Sequence, residues 1–171
     1  MELFLDRVES PVGTIVLISD GDALRVLDFV DCDERMRRLL RLHYGPQPVV
    51  ESRESLGIKR SVEAYFAGEL TSVEAVPVRT EGTAFQKQVW AELRHIAAGT
   101  TVSYGELAKR IGRPGASRAV GLANGSNPIA IVVPCHRVIG STGALTGYGG
   151  GIERKRWLLR HEGAQLPLAT L

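Results

Sequence analysis

A short segment in the last third of the chain carries a thiol beside two basic side chains. His136 and Arg137 directly follow Cys135, after an apolar run over 129–133. Nearby cations lower the pKa of a thiol, and the resulting thiolate is the form that acts as a nucleophile. The segment therefore predicts a reactive cysteine. The alternative is an inert buried thiol next to a histidine that bonds to the backbone.

The imidazole of His136 needs a partner before it can act as a base. Neighbouring side chains point in different directions, so we expect His136 to reach Cys135 through a bridging water. A carboxylate on the far side of the ring would fix its tautomer and stabilise its protonated form. Glu162 is the candidate, because it follows a predicted helix over 154–161, where a negative charge opposes the helix dipole. An exposed surface glutamate is the alternative.

Capping motifs indicate that the second half of the chain is mostly helical. In one capping box, the Thr83 hydroxyl can accept from the third backbone N–H of a helix, and the Gln86 side chain can reach back to the capping residue. Ser103 and Glu106 form a second box, which opens a short helix over 106–111. The apolar run that precedes the thiol is predicted to be a buried strand.

The second capped helix begins a pattern typical of nucleic-acid binding. A tight turn over 112–115 separates it from a helix over 116–123, and the pair has the outline of a helix-turn-helix. The second helix is built from small residues and carries one cation, Arg118. Small residues let a helix backbone approach a groove closely, which makes Arg118 a candidate DNA contact. An ordinary solvated arginine is the alternative.

The first half of the chain is predicted to be a small β-sheet with helices. Strand signals are followed by two helical patterns and a last short strand: strands over 4–8, 14–18 and 23–30, helices over 33–44 and 55–67, and a strand over 73–78. The Asp20-Gly21 pair predicts a hairpin turn between the second and third strands.

These elements predict an α/β (α+β) chain of two domains. Residues 1–80 would form a small N-terminal α/β domain, which we expect to brace its neighbour. Residues 81–171 would form a mostly helical C-terminal domain of winged-helix type that contains the helix-turn-helix, binds DNA and carries the reactive thiol.

Charge is distributed unevenly between the two halves. Residues 1–80 hold 10 basic and 14 acidic side chains, a net charge of −4, whereas residues 81–171 hold 11 and 5, a net charge of +6. A basic second half favours contact with a polyanion. Chance segregation on a solvated surface is the alternative.

Composition excludes several classes of protein. No apolar run approaches the roughly 20 residues that cross a bilayer, and the first residues lack the basic start of a signal peptide. Cys32 and Cys135 are the only cysteines, too few for a disulfide framework. We therefore expect a cytoplasmic monomer with no membrane contact and no obligate protein partner.

Several separated motifs agree in order and spacing with one known family. They are Gly125-Ser126-Asn127-Pro128, Pro134-Cys135-His136-Arg137-Val138, the glycine-rich stretch 143–151, Trp157-Leu158-Leu159 and His161-Glu162-Gly163. From about Thr83 to Gly163 the chain resembles the methylated-DNA–protein-cysteine methyltransferases (O6-alkylguanine-DNA alkyltransferases). The first 80 residues fit that family only in outline.

The resemblance implies a role for each matching residue. Cys135 would accept the alkyl group, and His136 and Glu162 would form the water-bridged relay that makes the thiolate. Asn127 would tie the second helix of the helix-turn-helix to the active-site segment. Arg118 would enter the base stack and fill the gap left by a flipped nucleotide, with the helix in the minor groove.

Further residues would hold the DNA and the damaged base. Tyr104 would help rotate the phosphate and could donate toward the purine, and Tyr148 would wall the base pocket. Backbone groups at Val138 and Gly149 would read the edge of the base. The remaining expected DNA contacts are Ser103, Ser117 and Ala119. Tyr104 as a core aromatic, and the glycine-rich stretch as a plain linker, remain alternatives.

The chemistry implied is direct reversal of DNA damage. The thiolate would take an alkyl group from O6-alkylguanine in double-stranded DNA, and also from O4-alkylthymine, after the nucleotide has flipped out of the duplex. No side chain hydrolyses the thioether product, so we expect one turnover and no cofactor. We expect no structural zinc, because the first half offers only Cys32 and His43 as soft ligands.

Two other functions use the same residues. A cysteine hydrolase would need an oxyanion hole and repeated turnover, and such enzymes place the cysteine and histidine far apart in sequence. A protein that binds alkylated DNA without repairing it is expected to lack the acceptor cysteine, and Cys135 is present.

Overall fold

The computed structural model describes residues 1–52 and 57–166. Its strands and helices, in chain order, are β1 (Leu3–Val8), β2 (Ile15–Ser19), β3 (Leu24–Phe29), α1 (Asp33–Tyr44), β4 (Val49–Glu51), α2 (Ile58–Phe66), α3 (Ala84–Leu93), β5 (Val102–Ser103), α4 (Tyr104–Arg110), α5 (Ser117–Gly125), β6 (Val138–Ile139) and α6 (Ile152–His161). The mixed α/β fold class is confirmed.

The chain folds as two compact units. One comprises residues 1–82 with the short segment 128–132, and the other comprises residues 83–127 with the chain from 133 onward. The independence of residues 1–80 and 81–171 as domains, and the bracing role of the first, stay predictions. No helix in the described part is long and apolar enough to cross a membrane.

The first unit contains a four-stranded sheet in the order β3-β2-β1-β4. β1, β2 and β3 pair as antiparallel neighbours, and the hairpin predicted at Asp20-Gly21 joins β2 to β3. β4 joins the edge in parallel with β1. β4 was not predicted from the sequence. All three of its residues are exposed, so it lacks the alternation of buried and exposed side chains by which a strand is recognised.

Helix α1 confirms the prediction for residues 33–44. Its Met36 belongs to a buried cluster with Leu3, Val16, Ile18 and Val26 on the sheet. Each fully buried side chain of this kind contributes about 1.5–3 kcal/mol to stability. Helix α2 begins at Ile58, and the start predicted at residue 55 lies outside the described residues.

The strand predicted over 73–78 is wrong except at its last residue, Val78, which makes a single parallel bridge to Leu24. The residues before it form a series of turns, in which Glu74 N–H donates to the Thr71 carbonyl at 3.0 Å and Val76 N–H donates to the Val73 carbonyl at 3.2 Å. Val73 and Val76 are both buried. Apolar residues three apart fit successive turns, whereas a strand would bury residues two apart.

The second unit is mainly helical. The capping box of α3 is confirmed in both directions, with Gln86 N–H donating to Thr83 and the Gln86 side chain accepting from Thr83 N–H. Helices α4 and α5 form the predicted helix-turn-helix. β5 and β6 pair in parallel as a two-stranded sheet, which the sequence did not predict.

The buried strand predicted over 129–133 is also wrong. Ile129 makes a single bridge to Leu27, and the chain then folds tightly. Val132 N–H donates to the Ala130 carbonyl at 2.8 Å, across Ile131, which has a φ of 69°. Every residue of the segment is buried. Because both faces are buried here, the apolar run carries no periodicity that separates a strand from a compact turn.

Candidate active site

Cys135 begins a single 3-10 turn, Cys135–Arg137, rather than following a strand. Its N–H donates to the Val133 carbonyl at 2.8 Å, across Pro134, so the chain reverses just before the thiol. Only 6% of Cys135 is exposed. A substrate atom must therefore enter the protein to reach the sulfur.

The structure brings His136 and Glu162 together, as the sequence predicted. His136 Nε2 lies 2.7 Å from Glu162 Oε1, and both side chains are completely buried. Glu162 is the C-terminal cap of α6. The chain passes close to it at Gly99, where a Cβ would lie 2.9 Å from the Glu162 carbonyl oxygen, so only glycine leaves enough room.

Arg137 supplies the charge that lets a carboxylate remain at this helix end. Its Nε donates to Glu162 Oε2 at 3.0 Å and its Nη2 donates to Glu162 Oε1 at 2.8 Å. Its Nη1 donates to the Ile96 carbonyl at 2.7 Å. This two-pronged contact fixes the plane of the carboxylate. The sequence indicates Arg137 only as a cation near the thiol, and its contact with Glu162 was not predicted.

The ionisation states of the pair follow from these contacts. Burial alone would raise the pKa of Glu162, but His136 and Arg137 outweigh it and hold that pKa well below its usual range. Burial lowers the pKa of His136, and the attraction of Glu162 only partly opposes this effect. At neutral pH, Glu162 is a carboxylate and His136 is a neutral imidazole.

A neutral His136 has one ring nitrogen left for chemistry. Its Nε2–H donates to Glu162, so Nδ1 carries the lone pair. Among the residues that the structure describes, no side chain or backbone group bonds to this buried Nδ1. A lone pair held in this way next to Cys135 is suited to accept the thiol proton.

Two asparagines hold the turn around the thiol. Asn127 Nδ2 donates to the Val133 carbonyl at 2.8 Å, which places this residue as expected between α5 and the active-site segment. Asn124 Nδ2 donates to the carbonyl of Cys135 at 3.3 Å. Asn124 was missed, although a buried asparagine on an otherwise small, apolar helix face is a signal that could have found it.

The predicted DNA contacts at the start of α4 lie at the helix N-terminus. Ser103 caps the helix and accepts from Glu106 N–H at 3.0 Å, which is one half of the predicted capping box. The Tyr104 ring packs against Gly121 of α5, where an added Cβ would lie 3.7 Å away. Its hydroxyl donates to the Thr146 carbonyl at 3.2 Å.

Helix α5 presents Arg118 to solvent. Ala119 is exposed beside it, Ser117 is half-buried, and Leu122 is 73% exposed on the next turn. Arg118 and Leu122 are four residues apart and so lie on the same side of the helix. This exposed side of α5 therefore combines one cation with apolar surface.

The predicted base-pocket residues lie beside the His136 ring and in the loop that precedes α6. The Tyr148 and His136 rings meet edge to face, with centroids 6.5 Å apart. Val138 lies in β6, directly after the Cys135 turn, and Gly149 is exposed in the loop. Tyr148 is half-buried, and its carbonyl accepts from Gly151 N–H at 2.9 Å.

Lys155 is the most prominent residue that the sequence analysis missed. It is completely buried, and its ammonium donates to the carbonyls of Val138 and Thr146 at 2.6 and 2.9 Å. Burial lowers the pKa of Lys155 to about 8, against the opposing effect of the Cys135 charge. A signal was present, since Lys155 and Glu162 share the buried face of α6 with Leu158 and Leu159.

Metal ligation has no support in the described residues. No group of three histidine, cysteine, aspartate or glutamate side chains among them could hold an ion. The predicted absence of zinc stays a prediction.

Similarity to known proteins extends over both units. A family model for the DNA-binding domain of 6-O-methylguanine DNA methyltransferase matches residues 84–164. A second model, for the ribonuclease-like domain of the same enzyme, matches residues 6–80. The chain belongs to the methylated-DNA–protein-cysteine methyltransferase family. The resemblance carried by the sequence motifs is thereby confirmed, and it includes the N-terminal half.

Curated members of this family align with nearly the whole chain. The methylated-DNA–protein-cysteine methyltransferase of Shigella flexneri is 46% identical over 166 residues, which cover 95% of this chain and 97% of the relative. That of Mycobacterium tuberculosis H37Rv is 50% identical over 160 residues, which cover 94% and 92%.

Solved structures of related proteins are similar to this chain over nearly its whole length. The crystal structure of Mycobacterium tuberculosis OGT in complex with DNA has a TM-score of 0.81 and 44% identity, covering 99% of this chain and 98% of that chain. The O6-methylguanine-DNA methyltransferase of Pyrococcus kodakaraensis KOD1 has a TM-score of 0.67 and 26% identity, covering 95% and 99%.

Proposed function

We propose that this protein repairs DNA by moving the alkyl group of O6-alkylguanine, and of O4-alkylthymine, onto the sulfur of Cys135. The observation that carries the proposal is the buried bond between the Glu162 carboxylate and His136, the residue that directly follows Cys135. The imidazole is neutral and bonded to Glu162 through Nε2, and its buried Nδ1 has no hydrogen-bond partner among the described residues.

The proposed reaction begins with the thiol proton. Nδ1 of His136 takes that proton through a bridging water, and Glu162 stabilises the imidazolium that forms. The thiolate then attacks the alkyl carbon in line, a carbon–sulfur bond forms, and the bond from that carbon to O6 breaks. The electron pair of that bond stays with the purine, which takes up the proton and leaves as guanine.

The product fixes the number of turnovers. S-alkylcysteine is a thioether, and its carbon–sulfur bond is not hydrolysed by a carboxylate, an imidazole or water. The protein is consumed as it reacts, and each molecule repairs one base. The reaction balances without a redox partner or a cofactor, since the thiol proton ends on guanine and the alkyl group on sulfur.

The burial of Cys135 requires nucleotide flipping. A base stacked in a duplex cannot present its O6 substituent to a sulfur that is 6% exposed. Arg118 stands exposed on α5 and is proposed to occupy the gap in the stack. Ser103, Tyr104, Ser117 and Ala119, at the start of α4 and of α5, are the proposed contacts to the DNA backbone.

The base pocket is proposed to lie between β6 and the loop before α6. Tyr148 forms its wall, while backbone groups at Val138 and Gly149 read the edge of the purine. The partner is double-stranded DNA that carries the lesion, bound by a cytoplasmic monomer with no membrane contact and no obligate protein partner.

Intact-protein mass spectrometry tests the proposal. The protein is incubated with a duplex that carries one O6-methylguanine, beside a Cys135→Ser control. The mass should rise by one methyl group in the wild type alone. A folded wild-type protein that binds the duplex and keeps its mass would refute the proposal and favour a protein that only binds alkylated DNA.

A further inference from the structure

The charged groups of the second unit include one that the proposed reaction does not use. Lys155 lies on α6, two turns before Glu162, and is completely buried. Taking an ammonium out of water is costly unless its protons are bound. A lysine held there has to be matched to specific acceptors.

The acceptors of Lys155 come from two different parts of the chain. Its Nζ donates to the Val138 carbonyl of β6 at 2.6 Å, and to the Thr146 and Gly147 carbonyls of the loop at 2.9 and 3.4 Å. Three acceptors match the three protons of an ammonium. Lys155 therefore joins the loop to the strand that directly follows the Cys135 turn.

The same loop carbonyl has a second donor. Tyr104, at the start of α4, donates from its hydroxyl to the Thr146 carbonyl at 3.2 Å. Thr146 thus receives one bond from the proposed DNA-binding helix and one from the buried ammonium. Two residues farther along the loop, Tyr148 packs edge to face against His136.

We propose that Lys155 is a positioning residue, whose buried ammonium holds the loop at Thr146 and Gly147 against Val138 and so sets the shape of the alkylated-base pocket. This inference rests on the proposed function. It adds that the pocket is held by a charge that does not touch the alkyl group, and that the pocket loosens when this charge is removed.

The charge of Lys155 depends on pH and on the titratable groups near it. Cys135 and His136, in the 3-10 turn, interact electrostatically with the ammonium, and Tyr104 faces it through the Thr146 carbonyl. β6 and the loop contribute backbone carbonyls. Lys155 has a pKa of about 8, so its positive charge is lost as pH rises through that value.

The test compares Lys155→Met with Lys59→Met. Methionine keeps the unbranched apolar stem, and Lys59 is a half-exposed lysine of the first unit, 3.9 Å from Asp6. Single-turnover transfer from an O6-methylguanine duplex is measured beside modification of Cys135 by iodoacetamide, a small reagent that needs the thiolate but no positioning of an alkylated base. Transfer by Lys155→Met should fall about 10- to 150-fold, because bonds from a charged donor are lost. Iodoacetamide modification should fall by a smaller factor.

Other outcomes would overturn the inference. If Lys155→Met slows methyl transfer and iodoacetamide modification by the same factor, Lys155 acts on the thiol rather than on the pocket. If methyl transfer is unchanged, the bonds from Lys155 to the loop are not needed to shape the pocket. If Lys155→Met does not fold, the pH dependence of the wild-type protein provides the test. Its transfer rate should fall above about pH 8 as Lys155 loses its charge, and a constant rate there would refute the positioning role of Lys155. Methylation of the wild-type protein tests the proposed function separately.

Discussion

Glu162→Gln changes the centre of the proposed relay while keeping the size of the side chain. The carboxylate accepts from one donor of His136 and two of Arg137. An amide offers one oxygen and brings two donors of its own, so at least one buried N–H then faces another N–H. Arg137 is left as a buried cation without its counter-charge.

The magnitude follows from that loss. Removing one partner of a buried ion pair destabilises a protein by about 3–5 kcal/mol. The control is Glu153→Gln on the same helix, whose side chain is 89% exposed and pairs with Arg156. Surface pairs of this kind contribute about 0–1 kcal/mol.

The effect on stability depends on pH in a defined direction. The folded-state pKa of Glu162 lies below its ordinary value of 4.5. The stabilisation by the carboxylate is therefore fully present above about pH 4.5 and is lost as pH falls toward the folded-state pKa. The difference in unfolding free energy between wild type and Glu162→Gln should be constant near neutrality and narrow below pH 4.5.

The effect on chemistry is measured by rapid-quench single-turnover kinetics. General acid–base groups contribute about 10²- to 10⁴-fold to rates, so transfer by Glu162→Gln should slow by at least about 100-fold near pH 7. Raising the pH from 7 toward about 8, the pKa of Lys155, should recover part of the rate, because more of the thiol then ionises without the relay. A folded Glu162→Gln protein that transfers methyl at the wild-type rate would refute the relay.

Three further predictions concern the groups around the relay. Asn127→Ala removes the donor to the buried Val133 carbonyl and should cost about 1–3 kcal/mol in denaturant unfolding; an unchanged midpoint would contradict this. In the folded protein the pKa of His136 lies below 6.5. As the pH falls below 6.5, the free energy of unfolding of the wild type should therefore decrease by up to about 1.4 kcal/mol per pH unit more than that of His136→Gln. Parallel curves of unfolding free energy against pH would show that the folded His136 is not held neutral. Arg118→Ala should slow transfer from a duplex more than transfer from free O6-alkylguanine, and equal slowing would remove its proposed role in flipping.

Sequence reasoning found the groups whose chemistry is local. Cys135 and His136 are adjacent, and Thr83 and Gln86 are three residues apart. Residues this close in sequence can be predicted to interact from their spacing alone. Glu162 was found because a carboxylate at a helix end is locally unfavourable and needs a reason. The contact of Glu162 with Arg137 explains how the fold tolerates it.

The residues that were missed depend on partners distant in sequence. Asn124 bonds a carbonyl 11 residues away, and Lys155 bonds one 17 residues away. Nothing near either residue in the sequence identifies those carbonyls. The strand predicted over 129–133 was an apolar run that is buried on every side, which leaves no periodicity to separate a strand from a turn. The strand predicted over 73–78 failed for a different reason, because its buried residues, Val73 and Val76, are three apart.

The most direct test of the central claim is the stoichiometry of repair. The protein is mixed with a large excess of duplex that carries O6-methylguanine, and the restored guanines are counted at long times together with peptide mapping of the product. The account predicts a plateau of one guanine per protein molecule, with a single methyl group on Cys135. A count that continues to rise with time, or a methyl group on another residue, would contradict it.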